Sequence, residues 1–201
     1  MCRNRGFTLI ELLVALAIFA IMTGFAYRGL TAMLESREAL QKESRKWRDV
    51  ALFVGRFERD LGAVLARTAI GPSGTRLAPV SSAIESSASP EGLALTRSGS
   101  PLQENMLAAP QRVGYRLREG NVERLTWAGV DAAPREEPGA VAVLAQVSAL
   151  GFRFLDPRGE WRPSWGLPGN AEATLPAAVE VTLQLASGEK IVRLVDLPRA
   201  Q

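Results

Sequence analysis

The chain has 201 residues, of which 47% are hydrophobic, with 24 Lys and Arg set against 21 Asp and Glu. That length suits one membrane anchor plus one modest globular domain. There is one cysteine, Cys2, and no histidine, which excludes a disulfide framework, a thiolate or imidazole metal site, and the commonest general base. The small positive net charge is not the footprint of a nucleic-acid partner. No basic run occurs, acids are interleaved with arginine throughout, and Arg3 and Arg5 at the very N-terminus supply two of the three excess charges.

From Phe7 to Tyr27 nearly every residue is apolar, a run of roughly the 20 residues that cross a bilayer. Three readings of it compete. It could be a buried helix, although so apolar a stretch at the N-terminus fits a soluble core poorly. It could be a secretory signal peptide, with Arg3 and Arg5 as the charged region and Gly24-Phe25-Ala26 as the cleavage site. Glu11 argues against that, because a carboxylate gains nothing inside a disposable apolar segment and costs a few kcal/mol there. The third reading is a short basic leader cut after Gly6. The new terminus is then Phe7, and Glu11 lies four residues along the helix from its amine, about 6 Å by the helical rise. An amine and a carboxylate that are each costly in lipid can pair, within one chain or with a packed neighbour.

The order Gly6-Phe7-Thr8-Leu9-Ile10-Glu11-Leu12-Leu13-Val14 closely resembles the processing motif of type IV prepilins. The resemblance implies cleavage between Gly6 and Phe7 by a prepilin peptidase and N-methylation of Phe7. It also implies that Glu11 docks the subunit into a helical pilus or pseudopilus. Arg3 and Arg5 put the N-terminus on the cytoplasmic side and the bulk of the chain across the membrane.

Helical patterning continues past the span. Trp47, Val50, Val54, Phe57, Leu61 and Val64 recur at spacings of three and four, which predicts one face packed on a core. Glu38 with Lys42, Arg45 with Asp49 and Arg56 with Asp60 are opposite charges at helical spacing. No proline intervenes before Pro72, so one long helix is expected from Thr8 to Ala66, with Gly24 to Gly29 the place where it would bend. Gly71 to Gly92 is rich in Ser, Gly, Pro and Ala and reads as a loop.

The period then changes from 3.6 to 2. Leu93–Arg97 is a short strand. Arg112–Arg118 and Val122–Trp127 form a hairpin around Glu119-Gly120-Asn121. Ala128 to Gly139 is a second loop. Val143 to Leu155 is one long strand or two short ones, with Phe152 and Phe154 on one face. Asp156-Pro157-Arg158-Gly159 is a β-turn, and Ala178–Leu185 with Ile191–Leu197 is another hairpin around Ser187-Gly188. The expected fold is therefore α+β, a long N-terminal helix packed on an antiparallel β domain. Its expected divisions are a leader over 1–6, a membrane-spanning helix over 7–27, a periplasmic helical continuation over 28–67 and a β-rich domain over 68–201.

A narrower resemblance covers almost the whole chain. Leu93-Ala94-Leu95-Thr96-Arg97, Gln111-Arg112-Val113-Gly114-Tyr115, Phe152-Arg153-Phe154-Leu155-Asp156 and Leu175-Pro176-Ala177-Ala178-Val179-Glu180-Val181, in this order, resemble the minor pseudopilin J family of type II secretion systems. The family implies the pilin-like fold and a periplasmic domain at or near the tip of a short pseudopilus. It also implies sibling minor pseudopilins as partners, with the prepilin peptidase, the inner membrane and exported protein as further contacts. A minor pilin of a type IV pilus or DNA-uptake system and a membrane-anchored periplasmic enzyme are the other readings. For the last, no Gly-x-Ser-x-Gly elbow, phosphate-binding glycine loop or metal-ligand spacing is found, so no catalytic residue, metal site or cofactor is expected. Lys190, Asp156 with Glu160, and Trp161 with Trp165 were the features closest to a dyad, a Ca²⁺ site and a stacking platform. Each fits better as a turn lysine, a turn and a core-closing loop.

Overall fold

The computed structural model describes residues 8–84, 91–99, 109–167 and 174–198. The chain divides into two compact units between Asp49 and Val50. The first unit holds the start of one long helix, α1 (Leu9–Gly62). Its apolar residues, from Leu9 and Ile10 through Phe19 and Phe25 to Leu40, are all exposed. A helix that is apolar all round belongs in a membrane or a large core, and α1 is long and apolar enough to cross a membrane.

The second unit opens with the last turns of α1. Here Val50, Phe53, Phe57 and Leu61 are buried on one face at helical spacing. The helix stops at Gly62, ahead of the expected Ala66. The Val64 amide donates to the Leu61 carbonyl at 3.1 Å, tightening the last turn. The chain then leaves alongside a strand, with Val64 bridged to Arg97 and the Leu65 amide on the Thr96 carbonyl at 2.9 Å.

Eleven strands follow among the described residues: β1 (Ala69–Ile70), β2 (Arg76–Leu77), β3 (Val80–Ala83), β4 (Glu91–Arg97), β5 (Gln111–Arg118), β6 (Asn121–Thr126), β7 (Gly139–Leu144), β8 (Val147–Leu155), β9 (Trp161–Arg162), β10 (Ala178–Leu185) and β11 (Lys190–Asp196). β1 and β2 form a small ribbon. β3-β4-β5-β6-β7 is an antiparallel meander, and β11-β10-β8-β9 is a second antiparallel sheet. The two sheets and the end of α1 share one core. Phe53 and Phe57 stack with centroids 6.0 Å apart, and both present edges to Tyr115 of β5, at 5.9 and 5.3 Å. Phe154 of β8 and Val179, Val181 and Leu183 of β10 close it from the second sheet. Burying each large side chain is worth about 1.5–3 kcal/mol.

The meander is covered on its other face too, where Ile84, Ala94, Leu125 and Trp127 make a smaller cluster. That explains the near-continuous burial along β5. Gly114 lies under the Trp127 ring. A Cβ there would sit 2.9 Å from the Leu93 carbonyl oxygen and 3.4 Å from the indole, so any larger residue would force the neighbouring strand or the ring to shift.

The structure corrects three expectations here. Gly71–Gly92 is not an unpatterned loop, because it contains β2 and β3 and the first two residues of β4. Gly139 is not the end of a loop but the start of β7. For Val143–Leu155 the two-strand alternative holds, with the break at Ala145-Gln146, Gln146 at φ 59°, and the two strands in different sheets. Trp47 is not a core residue. It is 43% exposed, and its indole nitrogen donates to Glu43 on its own helix at 2.7 Å.

Candidate functional site

The residues expected to direct processing, Gly6 and Phe7, lie outside the described residues. Glu11 lies within them, and its surroundings are local. Its carboxylate accepts from the Thr8 amide at 3.0 Å and the Thr8 hydroxyl at 2.9 Å, while its own amide donates to the Thr8 hydroxyl at 3.4 Å. This is a reciprocal capping box, Thr-x-x-Glu ahead of an apolar run. Thr8 was not picked out from the sequence, although that spacing was the signal for it. The box satisfies amides that a helix start leaves bare, and it fixes the Glu11 carboxylate at the positive end of the helix dipole.

Above the cap nothing in the first unit covers α1. Leu12, Leu13, Leu16, Ile18, Phe19 and Ile21 are more than half exposed, on every side of the helix. Such a surface is stable only against lipid or other apolar helices. Further along, Glu43 and Lys46 pair at 2.8 Å, and the Lys46 ammonium stands 5.3 Å from the Trp47 ring centroid.

The second carboxylate of note, Asp60, was expected to pair with Arg56 on the helix surface. It turns inward instead. It sits on the buried stripe, and its carboxylate meets Arg97 of β4 at 2.5 Å, Arg124 of β6 at 2.7 Å and the Tyr115 hydroxyl at 2.6 Å. Arg124 also reaches Thr126 at 3.0 Å. Burial, and then the Asp60 charge, raise the Tyr115 phenol far above its ordinary value of 10.0. Burial works against the Arg124 charge, but the hydrogen bond and charge of Asp60 outweigh it and raise its pKa. One carboxylate thus holds two guanidinium groups inside the core, and the Arg97 Nε is left buried without a partner.

The other sites considered resolve into structure. The Asp156 carboxylate accepts the Arg158 and Glu160 amides, both at 2.9 Å, and the Arg162 Nε at 2.9 Å. Led by the Glu160 amide, these bonds hold its pKa below the usual value of 3.8. It is the anchor of a turn with its oxygens already used. Among the described residues no group of three or more acids could hold a metal. Trp161 carries the Arg153 guanidinium 5.0 Å from its ring centroid, and Arg153 in turn grips Glu180. Trp165 packs at the edge of the main core. Lys190 opens β11 opposite Gln184.

The family model described as type II secretion system protein J matches residues 28–197, and the prokaryotic N-terminal methylation motif matches residues 1–27. The chain belongs to the type II secretion system protein J family. A family member from Vibrio cholerae serotype O1 is 32% identical over 196 residues, covering 94% of this chain and 85% of that protein. One from Klebsiella pneumoniae is 29% identical over 194 residues, covering 96% and 94%. Among solved structures, a chain of the GspK–GspI–GspJ complex from the enterotoxigenic Escherichia coli type 2 secretion system superposes with a TM-score of 0.63 at 28% identity. The match covers 78% of this chain and 99% of that one.

Members of the protein J family are minor pseudopilins, structural subunits of the secretion machine. Membership therefore decides for the pseudopilin reading over the pilus and DNA-uptake reading. It also accounts for the bare helix: a protein J subunit has an N-terminal apolar helix fit for a single-pass anchor, ahead of a pilin-like β unit.

Proposed function

We propose that this chain is inserted in the inner membrane with its N-terminus cytoplasmic and its β unit periplasmic. It is then processed between Gly6 and Phe7, methylated on Phe7 and built into the pseudopilus tip beside sibling minor pseudopilins. Residues 1–6 are the leader, 7–27 the span, 28–67 the helical continuation and 68–201 the periplasmic part. Glu11, presented by its Thr8 cap, pairs with the terminal amine of a neighbour and sets the axial register of the helix. The protein makes and breaks no bond itself; it is the substrate of the peptidase and a load-carrying part of the export device. One observation carries this reading: the methylation motif over 1–27 abuts the protein J match over 28–197, on a helix long and apolar enough to cross a membrane. The co-complexed GspK and GspI of the Escherichia coli relative support the choice of partners.

Intact mass of the membrane-purified protein, expressed with and without a prepilin peptidase, tests it. The expected product lacks Met1–Gly6 and carries one methyl group, and changing Gly6 abolishes it. A product beginning near Ala26, or an uncut chain beside an active peptidase, overturns it.

A further inference from the structure

Among the described residues the second sheet has an open edge with a cavity beside it. β8 pairs with β10 along its length, but on its other side β9 meets only Phe154 and Leu155. The Asp156 amide donates to the Glu160 carbonyl at 2.9 Å, on the β9 side. The N–H and C=O of successive strand residues point to alternate sides. Those of Phe154, Phe152 and Leu150 therefore all aim at the edge that β9 begins to fill. β9 ends before it reaches the last two. Among the described residues no backbone bond meets Leu150 or Phe152 on that side.

A cavity of 560 Å³ lies against this edge, lined by Ser148–Phe152 together with Ser82, Glu91, Leu117, Pro163 and Ser164. The Leu150, Phe152 and Leu117 side chains are half-buried, rest on the main core and supply the apolar part of its lining. Glu91 is the one charged residue of its described lining. Unpaired edge groups are a template for another strand. Gly151 adds no side chain beside the edge, and an added Cβ there would meet nothing within 4 Å.

We infer that the β8 edge, Ser148–Phe152, is a docking groove for an extended segment of another protein, which adds to the sheet as a strand beside β8. Main-chain bonds to Leu150 and Phe152 supply the grip, and alternate side chains supply the selectivity. The segment is apolar at the positions that face Leu117 and Phe152 and carries a lysine or arginine near Glu91. A small polar ligand lacks the paired donors and acceptors, repeating every second residue, that this edge leaves open. The inference stands apart from the processing and methylation proposed above.

The test uses the full chain in detergent micelles, with Cys2→Ser and Ser164→Cys, the latter carrying the peptide Cys-Gly-Gly-Lys-Val-Thr-Val-Thr by a disulfide. Tethering raises its effective concentration to about the millimolar range. Amide hydrogen exchange at Leu150 and Phe152 is expected to slow by about tenfold or more, with Ala149 and Gly151 unchanged because they already bond to β10. Two further peptides are N-methylated at one or the other alternate set of residues. One of them keeps the protection and the other loses it. No slowing with the tethered peptide, or equal slowing by both methylated peptides, overturns the inference. So does protection without peptide that rises with protein concentration, which would make a second copy the occupant. Pro163→Cys supplies the same tether if Ser164→Cys does not fold.

Discussion

Glu11 and Asp60 are carboxylates on one helix, each set among apolar residues, and they meet different surroundings. Asp60 is almost fully buried and finds two arginines and a tyrosine from strands that follow it in the chain. Among the described residues Glu11 finds Thr8, three residues away, and nothing more distant. The apolar side chains divide in the same way. Phe53, Phe57 and Leu61 are buried by the chain's own sheets, while Leu12, Leu16 and Phe25 are exposed. A charge on an apolar helix needs a partner, and an apolar face needs a cover. Where the chain supplies both, the element is part of a domain. Where it supplies neither, the element is built for lipid and neighbours. Under the function proposed above, the contrast separates stability, which belongs to the end of α1, from assembly, which that proposal assigns to its start.

The largest effect should come from Asp60→Ala. It leaves Arg97, Arg124 and the Tyr115 hydroxyl in the core without their carboxylate. Breaking a buried pair by removing one partner costs about 3–5 kcal/mol. Urea unfolding followed by fluorescence of Trp127, Trp161 and Trp165 should show that loss in the midpoint at unchanged slope. A loss below about 1 kcal/mol, the scale of an exposed pair, would mean that the cluster is a solvated network and the contrast with Glu11 is false.

Much of this arrangement was legible in the residues. The long helix, the β5–β6 and β10–β11 hairpins and the Asp156 turn follow from period, turn chemistry and the absence of proline, all of which act locally. The helical stripe was legible in period and in phase from Val50 to Val64. Its one misplaced member is Trp47, which is exposed, and the stripe lacks Phe53 and Asp60, the latter because an acid does not read as a core residue. What turns Asp60 inward are arginines 37 and 64 residues further on, which no local pattern reports. β3 was lost for the same reason. Val80 and Ser81 lie in a Ser- and Pro-rich stretch and become a strand only by pairing with Leu95 and Ala94. At the N-terminus the Thr8–Glu11 cap is one turn long and so lay within reach of a local reading, which singled out Glu11 and passed over Thr8.

A smaller effect is expected from Tyr115→Phe, which keeps the ring between Phe53 and Phe57 and removes the bond to Asp60. A lost hydrogen bond to a charged group costs about 1.5–3 kcal/mol near neutrality. The pH dependence identifies its source. The Tyr115 phenol titrates far higher when folded than when unfolded. Above the unfolded value, about 10, the unfolded chain therefore binds fewer protons than the folded one, and stability falls as pH rises. The variant lacks this group, so its stability should fall less steeply between pH 10 and 11.5. Parallel curves for the two proteins over that range would show that the hydroxyl is not held neutral by burial and by Asp60.

Glu11 should give the smallest change in stability and the sharpest change in function. Glu11→Gln keeps a side chain that can close the capping box, since either residue serves at that position. Its unfolding midpoint should match that of the parent, because the β unit holds its own core. Glu11→Ala removes the box as well, and it too should leave the β unit unmoved. If Glu11 acts by charge, pairing with the amine of a neighbouring subunit, both variants lose incorporation into the pseudopilus together, measured by crosslinking to sibling pseudopilins in membranes. If it acts only as a cap, Gln rescues and Ala does not. The pair of variants thus separates a bond that the chain makes with itself from one that it makes with a neighbour, which is the distinction between the two ends of this helix.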